Sequence, residues 1–147
     1  MNATTHPEHD VPDDIEFEVQ DWPPTKAEAK SLLAAGHPHA QRVRSLLEAA
    51  RDAIRRTGWT VTASDIALEL VIRSPGRPPS DATNYLGGVG DVLQVKATGR
   101  NIDVTHLGYL AAVALYADDR QIRQLQYAET RAATRPSYTV RIHVIDT

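Results

Sequence analysis

The chain contains no cysteine, so disulfides, thiol nucleophiles and thiolate zinc sites are excluded. No apolar run approaches the roughly 18 residues that a membrane-spanning helix needs. The opening MNATTHPEHDVPDD is acidic rather than basic and then apolar, so neither a transmembrane helix nor a secretory signal is expected, and the expected location is the cytoplasm. There is no G-x-S-x-G elbow, and no histidine stands in a recognised nucleophile-base arrangement, which argues against a hydrolytic triad. His6-x-x-His9 and His37-Pro38-His39 lack the further ligands of a four-coordinate zinc site and read as surface histidines. Leu86-Gly87-Gly88-Val89-Gly90 has no Walker lysine and does not directly follow a strand, so it is weak as a phosphate loop. Internal repeats and low-complexity segments are also missing.

What remains is a chain of 147 residues, 41% hydrophobic and 24% charged, the composition and length of one globular domain. Its net charge is −3, unevenly placed. Residues 1–30 hold eight acids (Glu8, Asp10, Asp13, Asp14, Glu16, Glu18, Asp21 and Glu28) against two lysines, a local −6 that leaves +3 on the body. An acidic leader on a mildly basic body is compatible with a DNA-binding surface without requiring one.

Residues 1–13 show no periodicity and read as a disordered acidic tail, with the domain running from 14 to 147. Ile15-Glu16-Phe17-Glu18-Val19 alternates like a half-buried strand that Trp22-Pro23-Pro24 stops. From Ala40 to Thr57, Val43, Leu46, Leu47, Ala50 and Ile54 recur at helical spacing and Gly58 closes the helix. Its polar side, with Arg44, Arg51 and Arg55, reads as a solvated face. Asp65–Arg73 alternates again, a breaker-rich loop follows, and Ser80 or Asp81 is placed to cap a helix from about Ala82 to Val95 despite three glycines. Residues 96–106 read as a loop and Thr105–Ala112 as a short helical turn. Gln121–Arg131 and Ser137–Ile145 read as two strands joined in a hairpin around Ala132–Pro136. The expected fold is α+β: a single domain with a mixed β-sheet and two main helices packed on it.

Asp81 at a loop-to-helix junction and Asp118-Asp119 between an apolar run and a strand are acids at sheet-edge positions where loops converge. Carboxylates gathered from separate elements are hard oxygen ligands for Mg²⁺ at a phosphodiester, while taken singly Asp81 reads as a helix cap and Asp118-Asp119 as a polar turn.

Three strings decide which chemistry these acids suit: Pro79-Ser80-Asp81-Ala82-Thr83-Asn84-Tyr85-Leu86, Asp91-Val92-Leu93, and Leu115-Tyr116-Ala117-Asp118-Asp119-Arg120-Gln121-Ile122. Together they resemble the RusA-type Holliday-junction resolvases, which show a D-x-D-N-L helix start, an acid-Ala-Leu about one helix later and an apolar-D-D-x-Q-[IV] entry to a strand. The Pro-Pro turn after the first strand and the final alternating strand also match, so the resemblance covers about residues 15–145. It implies a RusA-like domain acting as a Mg²⁺-dependent, structure-selective endonuclease on Holliday junctions or other branched DNA, as a homodimer, with Mn²⁺ as the alternative ion. Carried over, Asp81, Asp118, Asp119 and Asp91 are the catalytic carboxylates. Asp81, Asp118 and Asp119, with Thr83, form the metal set, and Asp91 orients it. Arg77, Arg120, Arg123 and Asn84 are the DNA contacts.

Two positions depart from the family pattern. Thr83 stands where the family has its second aspartate, and Gly87 where it has a lysine. Arg120, Lys96 and Arg77 are the candidates to replace that cation. The alternative expectation is the same fold with a degraded site, serving as a DNA- or protein-binding module.

Overall fold

The computed structural model describes residues 11–26, 40–96, 105–132 and 134–145. Within them lie β1 (Asp14–Val19), α1 (Ala40–Thr57), β2 (Ile66–Ser74), α2 (Ala82–Leu93), β3 (Ile122–Arg131) and β4 (Ser137–Val144), with 3-10 segments at Thr105–Ala112 and Asp119–Gln121. The fold is α+β, one four-stranded mixed sheet and two main helices. The histidine pairs His6/His9 and His37/His39 fall outside the described residues.

Strand order is β1-β4-β2-β3, with β2 and β3 parallel and the other pairs antiparallel. This corrects the expected β3–β4 hairpin, because β2 lies between the two strands. Side-chain chemistry explains the order. Ile66, Leu68, Leu70 and Ile72 of β2 and Tyr138, Val140 and Ile142 of β4 are all fully buried, and each such aliphatic residue contributes about 1.5–3 kcal/mol. Both strands therefore belong inside the sheet. β3 carries Arg123, Gln124, Gln126, Glu129 and Thr130, is exposed on both faces, and suits the edge. The ends to be joined, Arg131 of β3 and Ser137 of β4, lie on either side of β2, a distance that a short connection spans.

α1 buries Val43, Leu46, Leu47, Ala50 and Ala53, with Ile54 only partly covered. It ends as expected at Gly58, whose φ of +79° is the left-handed conformation that favours glycine, with its N–H donating to Ile54 O at 2.8 Å. Just before β1, Asp13 O accepts from the Val144 N–H at 2.8 Å. Residues 113–116 run under α2: Leu115 N–H donates to Leu93 O at 2.8 Å, and the buried Trp59 indole donates to Leu115 O at 2.9 Å. Among the described residues, no helix is long and apolar enough to cross a membrane.

Candidate active site

The Asp118-Asp119-Arg120-Gln121 turn is held in place by its glutamine. Gln121 Oε1 accepts from the Ala117 and Asp118 N–H groups at 2.9 and 2.8 Å, and its Nε2 donates to Thr62 O and Ser64 O, both at 2.8 Å. Asp118 caps the turn by accepting from Arg120 N–H at 2.8 Å. Gln94, just past α2, accepts from Asp119 N–H at 2.9 Å and so ties the turn to the helix end. With its backbone fixed from two sides, the Asp119 carboxyl is presented to the groove between α2 and β3.

On the helix side, Thr83, Leu86, Gly87, Gly90 and Asp91 fall at i, i+3, i+4, i+7 and i+8, one face of α2. That face, with Asp119, Ile122 and Leu125 from the β3 side and Lys26 from the Pro-Pro segment, lines a cavity of about 250 Å³. Burial first, and then the neighbouring Asp119 carboxyl, raise the Asp91 carboxyl above the usual range, while Lys26 opposes the shift. The Lys26 ammonium stands 3.7 Å from Asp91 Oδ2. Behind the pair, the buried Tyr116 hydroxyl donates to Gly90 O at 2.6 Å.

Of the sequence-derived site residues, Asp119, Asp91 and Thr83 are brought to this cavity. Asp81 does not line it. It caps α2, accepting from Asn84 N–H at 2.8 Å and from the Thr83 hydroxyl at 3.0 Å, and these bonds hold its carboxyl below the usual range. At 1.5 Å per residue it lies about 15 Å along the helix from Asp91. Asp118, lowered first by the Arg120 backbone N–H and then by its side chain, pairs with the Arg120 guanidinium at 3.3 Å. Arg77 is exposed in the loop before α2, and Arg123 is exposed where the β2–β3 register shifts.

Lys26, Gln94 and Gln121 are site residues that sequence reasoning missed. The readable signal for Lys26 was the Gly87-Gly88 pair, unfavourable inside a helix unless something packs there. A Cβ on Gly87 would lie 2.7 Å from Lys26 Cδ, and one on Gly88 would lie 2.0 Å from Pro24 O. Trp22, stacked on Tyr85 with ring centroids 6.5 Å apart, anchors the same segment to α2.

Among the described residues, no cluster of three or more histidines and carboxylates is arranged to hold a metal ion. Two facing carboxylates still fit Mg²⁺, which takes one or two protein carboxylates and keeps several waters, whereas the Thr83 hydroxyl, donated to Asp81 and about 12 Å along the helix from Asp91, does not join them. Asp119 and Asp91 are the residues that would hold such an ion.

Lys96 does not supply the missing cation. Its ammonium donates to Val92 O at 3.0 Å and Val113 O at 2.6 Å, beneath the helix end, and burial pushes it down to about 8. Between pH 8 and its ordinary 10.5, the unfolded chain binds a proton that the folded one has released, so stability should rise with pH across that window. Urea unfolding of the protein and of Lys96→Met checks this. The difference should move in favour of the lysine protein as pH rises through the window.

No family model matches the chain, and no curated protein matches it.

Proposed function

We propose that this protein is a divalent-cation-dependent endonuclease of branched DNA that works as a homodimer on four-way junctions. The observation that carries the reading is the convergence of Asp91 and Asp119, from the end of α2 and the entry to β3, on a solvent-reachable cavity. These are two of the acids through which the chain resembles RusA-type resolvases. A bound Mg²⁺ or Mn²⁺ would supply a Lewis acid and an activated water at the phosphodiester. Asp119 and Asp91 supply the charge to bind it, and the Gln94 bond to the Asp119 N–H and the Gln121 bond to the Asp118 N–H fix the backbone from which Asp119 projects. Arg77, Arg120 and Arg123 are exposed and would contact phosphates. The edge position of β3 leaves a strand edge open to a second copy, and a two-fold dimer would give two equivalent sites for a two-fold substrate.

A binding module without cleavage is the second reading. Its support is the engagement of Asp81 and Asp118 in caps rather than in the cavity. Binding to a four-way junction and to a duplex, followed by cleavage with and without Mg²⁺ or Mn²⁺, separates the two.

Arginine contacts make a definite prediction for binding. Arg77→Ala and Arg120→Ala should each weaken junction affinity and each reduce the slope of log affinity against log salt by about one. Folding should not change, because both side chains are exposed and the Arg120 pair with the half-exposed Asp118 is a surface pair. An unchanged slope in fluorescence-anisotropy titrations of both variants would remove these arginines from the DNA surface.

A further inference from the structure

The helix that lines the cavity carries two adjacent glycines, and the space above them is filled by another part of the chain. Pro24 O and Thr25 C lie where a Cβ on Gly88 would be, and the alkyl stem of Lys26 lies where one on Gly87 would be. Pro23, Pro24 and Thr25 are buried. The segment is therefore seated against α2, and seating it there delivers Lys26 to the carboxylate pair. Among the described residues that line the cavity, Lys26 is the one cation. Its side chain is 61% exposed and its ion pair with Asp91 is long, 3.7 Å, so the contact is weak and exchangeable. The three other candidates do not line the cavity: Lys96 is held by backbone carbonyls, Arg120 pairs with Asp118, and Arg77 is exposed in the loop before α2.

We propose that Lys26 is the working cation of this site: its ammonium balances Asp91 and Asp119 in the free protein and contacts the phosphate undergoing cleavage in the complex. This rests on the endonuclease reading. A divalent ion and an ammonium compete for the same carboxylates, so the ammonium must leave them when the ion binds. Its four-carbon stem lets the head swing while the seated backbone keeps it at the cavity mouth. A cation placed there stabilises the charge that develops on the phosphate oxygens.

The opposing demands on Lys26 make the test specific. Lys26→Met should lower single-turnover junction cleavage in Mn²⁺ by about 10²-fold. The same variant should tighten Mn²⁺ binding, measured calorimetrically without DNA, by about two- to fivefold, the size of an exposed ion pair. Melting temperature should be unchanged. Moving the cation onto the helix with Lys26→Gly plus Gly87→Lys clears the contact between the two positions and should restore cleavage about tenfold or more over Lys26→Met. Cleavage by Lys26→Met at the wild-type rate would overturn the inference and leave the nuclease reading standing. Slow cleavage with no gain in Mn²⁺ affinity and no recovery in the double variant would also overturn it, by reducing Lys26 to a structural part. If Lys26→Met melts early, the double variant compared with Lys26→Gly decides by the same cleavage criterion. A wild-type protein that neither cuts junctions nor prefers them to duplex would remove both readings together.

Discussion

Asp119→Asn should lower junction cleavage by about 10³-fold while leaving the fold and junction binding intact. The substitution keeps the shape of the side chain and leaves its backbone N–H on Gln94 Oε1, so the turn stays docked. What is lost is one of two negative charges facing the cavity, and with it the hard-oxygen set for a divalent ion. Junction affinity should hold or improve, because a negative charge near the DNA backbone has gone. Asp118→Asn is the informative contrast. Asp118 points into a cap and an exposed pair with Arg120, so this variant should lose much less activity. Equal losses in the two variants would return both acids of the pair to the ion.

Gly88→Ala should destabilise the protein by about 1–3 kcal/mol, although helix propensity alone favours alanine by about 1 kcal/mol. The sign reverses because the added Cβ would lie 2.0 Å from Pro24 O and 2.5 Å from Pro24 C, backbone atoms that cannot turn aside. Either α2 shifts or the Trp22–Lys26 segment lifts off it. Both outcomes disturb the Trp22–Tyr85 stack and the approach of Lys26 to Asp91. The urea midpoint should fall, and cleavage should fall with it. A midpoint that rises instead would show that the two glycines are not there to seat this segment.

The strands and helices were legible because their burial is periodic. Val43, Leu46, Leu47 and Ala50 mark one face of α1, and Ile66, Leu68, Leu70 and Ile72 one face of β2. Sheet order was not legible from proximity in sequence. The hairpin expected around Ala132–Pro136 assumed that neighbouring strands pair, whereas the polar composition of β3 and the apolar composition of β2 place β2 between β3 and β4. Asp81 was readable as a cap and is one. Its distance from Asp91 follows from helical rise alone, so the division of these acids between cap and cavity was partly available in advance. Lys26 was not, because its approach to Asp91 spans 65 residues of sequence and depends on close packing between backbones. The glycines that allow it looked in the sequence like weaknesses of the helix.

The most direct test of the account is a single-turnover assay in which the wild-type protein meets an end-labelled four-way junction and a matched duplex, with Mg²⁺, Mn²⁺ or chelator, and the products are mapped on a denaturing gel. The account predicts paired nicks at symmetric positions on opposite strands of the junction, faster in Mn²⁺ than in Mg²⁺, absent with chelator and absent with Asp119→Asn. An intact junction under every condition, or nicking that persists in chelator and in Asp119→Asn, would contradict it.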